Sequence, residues 1–152
     1  MTISTTSSRI SYNGNGVTTI FAFPYRFLNQ GHLVVVSIDS LGAETVKTIT
    51  THYTVSGAGD PAGGSVTMLT APATGTRLVI YRDTDVTQET DYVSGDLFPA
   101  ESHETALDKL TMIMQEKTPG AGGATRAIQI PIGDPTSVIT TLPPSIARLD
   151  KL

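Results

Sequence analysis

The chain contains no cysteine and no tryptophan among its 152 residues. Without cysteine there is no disulfide framework and no thiolate zinc site, although that absence does not identify a compartment. Without tryptophan, and with aromatics at only 6%, a groove that stacks sugars or bases is poorly supplied. Charge is also sparse: Asp, Glu, Lys and Arg make up 16% of the chain, with a net charge of -4. No block of Lys and Arg points to nucleic acid or an anionic membrane surface. No apolar run approaches the length of a membrane span, and Met1–Ser8 lacks the apolar core of a signal peptide. These absences imply a soluble chain or part of a soluble assembly.

Residues that carry chemistry are equally thin. His32, His52 and His103 are far apart and lack metal-ligand spacing. Asp83, Asp85, Glu89, Asp91 and Asp96 cluster but lack the spacing of a calcium loop, so they read as a solvated acidic arm. Gly57–Gly64 has no GK[ST] ending and no following helix, which excludes a phosphate loop. No Gly-x-Ser-x-Gly elbow occurs. Glu101 and Glu104 are explained by the positive end of a helix dipole. The expectation is a protein without catalytic residues, metal or cofactor.

What is present is glycine (14), proline (9) and many threonines, a mixture that suits short strands and frequent turns. The length allows one domain with an appendage. Met1–Ser8 reads as a flexible lead. Arg9–Tyr12 and Val17–Phe23 alternate around Asn13-Gly14-Asn15-Gly16, which predicts a hairpin. Pro24 ends its second strand. Leu33–Ile38 is almost continuously apolar and should be covered on both faces. Thr45–Thr50 should pair back on it. Tyr53 and Val55, Val66–Leu69 and Arg77–Arg82 are further strands, with Leu78 and Ile80 facing opposite to Val79 and Tyr81. Residues 9–97 therefore read as a β-rich domain with an acidic arm.

Residues 98–118 read as one helix. Pro99 suits its first turn, Lys117 sits at its negative end, and Thr118-Pro119-Gly120 stops it. Ala106, Leu107, Leu110, Ile113 and Met114 recur at three- and four-residue spacing, on one face. A helix of this length is marginal alone. The stripe should pack on its own sheet or on copies of itself, and self-association is the expectation. Residues 119–152 are broken by Gly and Pro. They read as an extended linker in which Arg126–Pro131 alternates like an edge strand. The fold class is mainly β: a sandwich-like domain, one helix that gathers chains into a bundle, and an extended C-terminal segment.

The order of these features resembles a known family. Tyr12–Phe21 with Phe23-Pro24-Tyr25, Leu33–Val36, Tyr53-Thr54-Val55, Gly63–Val66 and Leu78–Arg82 come first. Then follow Gln88, Asp91-Tyr92, Gly95, Phe98-Pro99-Ala100, Glu104, Ala106-Leu107-Asp108 and Gln115. The series is similar to the N-terminal, virion-anchoring domain of tail fibres and tailspikes of short-tailed phages. Arg126–Asp134, with Leu142-Pro143, Arg148 and Lys151-Leu152, resembles the connecting segment that follows it. The resemblance implies a structural, non-enzymatic virion component and a homotrimer. It implies docking on the adaptor and nozzle proteins of the tail, with a distal receptor-binding region in the same or a separate chain.

Three surfaces are the expected docking elements. They are the turn with Asn13, Gly14 and Asn15, the loop with Gly57, Asp60 and Gly63, and the acidic arm with Asp85, Glu89 and Asp91. The alternatives are a carbohydrate-binding β-sandwich module, which predicts a saccharide site, and the N-terminal fragment of a tailspike depolymerase, which predicts convergent carboxylates in a cleft.

Overall fold

The computed structural model describes residues 3, 5–91 and 99–117. The expected edge strand at 126–131, the rest of segment 119–152 and the end of the acidic arm lie outside the described residues. Seven strands and one long helix follow in order: β1 Arg9–Asn13, β2 Ile20–Phe23, β3 Leu33–Ile38, β4 Glu44–Lys47, β5 Tyr53–Ser56, β6 Gly64–Met68, β7 Arg77–Arg82 and α1 Ala100–Lys117. A short 3-10 turn at Gln30–His32 leads into β3. The strands form two antiparallel sheets, one ordered β1-β7-β3-β4 and the other β2-β6-β5.

Period-two alternation builds the core. Phe21 and Phe23 on β2, Tyr53 and Val55 on β5, and Val66 and Met68 on β6 point inward from the smaller sheet. Leu33 and Val35 on β3, with Leu78 and Ile80 on β7, meet them from the larger one. Phe27 plugs the same core. Each such side chain contributes roughly 1.5–3 kcal/mol on burial. The buried Tyr53 hydroxyl donates to the Leu33 carbonyl at 2.8 Å, so its polar tip is satisfied across the two sheets.

The hairpin expected around Asn13–Gly16 does not form. β1 pairs with β7 and β2 pairs with β6, so the chain crosses from one sheet to the other. The turn chemistry is real but serves a corner. Asn15 Oδ1 accepts the Val17 and Thr18 amides at 3.0 and 2.8 Å, and Gly16 takes a φ of 74°. Val17 alternates in sequence with Phe21 and Phe23 but lies outside β2 and is 81% exposed, whereas those two are buried. The Tyr12 hydroxyl ties the two sheets together instead, donating to the Ala22 carbonyl at 2.6 Å.

The two outer faces differ. On the smaller sheet, Ile20, Ala22, Thr54, Ser56, Ser65 and Thr67 alternate with the core residues, and all but Ile20 and Ala22 carry hydroxyls. On the larger sheet, Val34, Val36, Ile38, Val79 and Tyr81 form a second apolar cluster. The near-continuous apolar run in β3 thus has hydrophobic neighbours on both faces, as its sequence implies.

Candidate assembly and docking surfaces

The helix α1 meets the β-domain with its polar side. Asp108, Met112 and Glu116, spaced by four, are its buried residues. Glu116 is held most fully. Its carboxylate accepts from Arg82 Nε at 2.5 Å, from the Thr84 amide at 2.7 Å and from the Thr84 hydroxyl at 2.8 Å. Arg82 spends its other donors on the Arg26 carbonyl and on Gln115 Oε1. Arg26 pairs with Asp108 about two turns nearer the helix start. Gln115 then donates to the Thr5 carbonyl at 2.7 Å, and Ser8 is buried beside β7 with its carbonyl accepting the Arg82 amide. These are charge-assisted contacts, and the Glu116 carboxylate accepts from three donors.

His32 lies at the edge of this cluster. Its side chain is almost fully buried, 3.8 Å from Asp85. Burial pushes its pKa below the ordinary value, chiefly by desolvation, with Asp85, Glu116 and Glu89 opposing and Lys109 reinforcing the shift. Lys109 reaches Thr87 Oγ1 at 3.3 Å, and Lys117 reaches Asp83 at 3.3 Å. The first part of the acidic arm, Asp83–Glu89, is thereby drawn alongside the helix.

The apolar stripe is left outside. Leu107, Leu110 and Met114 are 52%, 61% and 65% exposed, with Ala106 and Ile113 half-buried at its margins. Their spacing of three and four residues is that of a helix-pairing seam. The sequence identified this stripe but not the opposite, ionic one. One signal was available: Glu116 sits in the last helical turn, where the dipole disfavours a carboxylate unless a cation or donor meets it.

The three expected docking elements do not lie together. Asn13 closes β1 opposite Arg77, and Gly14 is bonded to the Thr76 carbonyl, with no room for a Cβ beside the Ala73 carbonyl. The loop of Gly57, Asp60 and Gly63 is tied back onto the domain. Asp60 Oδ1 accepts the Ala62 amide, Gly59 donates to the Phe27 carbonyl, and a Cβ on Gly63 would stand 2.1 Å from the Phe23 carbonyl. That loop and the arm with Asp85 and Glu89 share one end of the domain, through Arg26 and Phe27. The Asn13–Asn15 corner is at the Arg77 end of β7, and Asp91 is exposed further along the arm.

Among the described residues no three His, Asp or Glu side chains gather as a metal site, and no helix is long and apolar enough to cross a membrane.

Comparison with known proteins agrees with this geometry. The chain is 42% identical over 116 residues to the tail spike protein of Salmonella phage epsilon15. The match covers 76% of this chain but only 11% of that much longer protein. Residues 1–126 match the family model described as the phage T7 tail fibre protein, N-terminal domain. The chain, mainly β with one long helix among the described residues, therefore belongs to the family of phage T7 tail fibre protein N-terminal domains.

Proposed function

We propose that this chain is a non-enzymatic anchor that joins a receptor-binding fibre to the tail of a short-tailed phage. The observation that carries the reading is the orientation of α1. Its ionic side is clamped to the β-domain, and its apolar side, at Leu107, Leu110 and Met114, is presented outward. Burying exposed apolar side chains such as Leu107 and Leu110 is favourable, and copies of the same helix supply a matching seam. A homotrimer on that seam would place three β-domains around one axis, fixed to it by Arg82–Glu116 and Arg26–Asp108. Each domain would then face the adaptor and nozzle proteins of the tail, and three linked contacts raise avidity without new interactions.

The end of the domain that carries the Gly57–Gly63 loop and the Asp85–Glu89 arm supports docking there, because two of the expected elements converge on it. A carbohydrate-binding module lacks a specific observation in its favour. Purified full-length chain should run as a trimer in light scattering at micromolar concentration and should bind phage particles that lack fibres. A monomer that still binds such particles would remove the seam from the proposal. A trimer that does not bind them would remove the tail.

A further inference from the structure

At the end of the domain away from α1, a pocket of about 220 Å³ opens between the two sheets. Its floor is the core itself, at Met68 on β6 and Leu78 on β7, both buried. One wall is the loop at 72–76. Two bonds fix that loop to the Asn13–Gly16 corner: the Gly14 amide donates to the Thr76 carbonyl and the Gly16 amide to the Pro72 carbonyl, each at 2.8 Å. The opposite wall carries Lys47 and His52, and Thr51 and Thr70 also line the mouth.

The Lys47–His52 wall is built from unusual parts. Lys47 stands opposite Val35, which in turn stands opposite Ile80. Residues paired in this way share a face, so the lysine occupies the core side of its strand. It forms no ion pair among the described residues. An inward lysine on an edge strand guards against strand pairing, and here its neighbours give it a further use. The His52 amide donates to the Thr48 carbonyl at 2.9 Å, and the Thr48 amide donates back to His52 Nδ1 at 3.1 Å. The neutral ring therefore carries its proton on Nε2, which is left as a donor. Between them Thr50 has a φ of 68°, a left-handed backbone that a β-branched residue adopts only under constraint. Strain of this kind collects at binding and catalytic sites.

We propose that this pocket takes the carboxylate of an acidic side chain on a segment of a second protein. Lys47 supplies a cation and His52 an N–H, a pairing that makes charge-assisted bonds to a carboxylate. Met68 and Leu78 receive the methylenes of the same side chain. No aromatic residue lines the pocket, so a sugar ring has nothing to stack on. The rim is aliphatic instead. Leu69 is 60% exposed, and Val17, next to the Gly16–Pro72 bond, is 81% exposed. Exposed apolar groups around a binding pocket suit a protein partner, and an acidic residue flanked by aliphatic ones matches both floor and rim. The site rests on the anchor reading only for the partner being another virion protein. It lies at the opposite end from the Gly57–Gly63 loop and the arm, so both ends can be occupied at once.

NMR titration of the isotope-labelled full chain tests it, with an acetylated and amidated Leu-Glu-Leu tripeptide and its glutamine counterpart as probes. Amide signals of Thr48, His52 and Leu69 should move with the glutamate peptide. That peptide should bind at least about fivefold more tightly than the glutamine one, since hydrogen bonds to a charged acceptor are roughly twice as strong as neutral ones. Lys47→Met should remove the preference and His52→Gln should reduce it. Equal affinity for the two peptides overturns the proposal, as does a preference that survives Lys47→Met, a set of shifts confined to other surfaces, or no binding at millimolar peptide. The titration uses no phage particles, so its failure is distinct from a failure of tail docking.

Discussion

Glu116 stands where a helix dipole disfavours a carboxylate, and it is nevertheless among the most buried polar side chains of the described residues. Its three donors explain the reversal: Arg82 supplies opposite charge, and Thr84 supplies an amide and a hydroxyl. Removing one partner of such a pair leaves the other charge buried and uncompensated. Glu116→Ala should therefore lower unfolding stability by roughly 3–5 kcal/mol, read from urea titration. Arg82→Met combined with Glu116→Leu should cost less than the single change, since apolar isosteres remove the desolvation penalty along with the attraction. His32 gives a second prediction. Its folded pKa is lowered, so the unfolded chain binds a proton more readily. The stability that follows is present above the ordinary histidine value of 6.5 and is lost as pH falls through the lower folded value. The melting temperature should fall between pH 7 and pH 5, and His32→Asn should flatten part of that slope. An unchanged slope in the variant would assign the acid sensitivity to the carboxylates of the helix contact.

The helix is an element with two working faces of opposite character. In the single chain its apolar face does little for stability, because Leu107, Leu110 and Met114 remain more than half exposed. Leu110→Asp should consequently leave the β-domain intact and shift a monomer's stability by no more than about 0.5 kcal/mol. In the proposed trimer the same charge would be buried without a partner. Light scattering of Leu110→Asp should show monomers while far-UV circular dichroism retains the strands. A variant that stays trimeric would place the assembly contact elsewhere. The β1–β2 corner makes a related point about strands. Its Asn-Gly residues turn the chain, but β1 pairs with β7 and β2 with β6, in different sheets.

At the scale of the whole molecule, the domain has two ends and one of them collects the helix, the arm and the Gly57–Gly63 loop. Replacing the loop and the arm together should reduce binding to fibreless particles far more than replacing the Asn13–Asn15 corner. The contribution of Asp85 and Glu89 should weaken with added salt, because exposed charges are screened within about 8–10 Å at physiological ionic strength. Equal loss from both sets of replacements would spread docking over the whole domain. No loss from either would move it to a sheet face.

Sequence by itself determined the periodicities, and these determined most of the elements. Alternation at Phe21 and Phe23, at Tyr53 and Val55 and at Leu78 and Ile80 chooses the core side of each strand, because side chains in a strand must point to opposite faces in turn. Pro99 precedes α1 for an equally local reason, and Leu107, Leu110 and Met114 are legible as a stripe from spacing alone. Pairing was not local. Whether β1 joins β2 or β7 depends on which partner completes a sheet over the shared core, and only the tertiary structure decided it. The same holds for the two faces of α1. An apolar stripe announces that it will be covered but not by what. Asp108 and Glu116 look like ordinary solvated charges until Arg26, Arg82 and Thr84, distant in the chain, arrive beside them and make burial of the polar face the lower free energy.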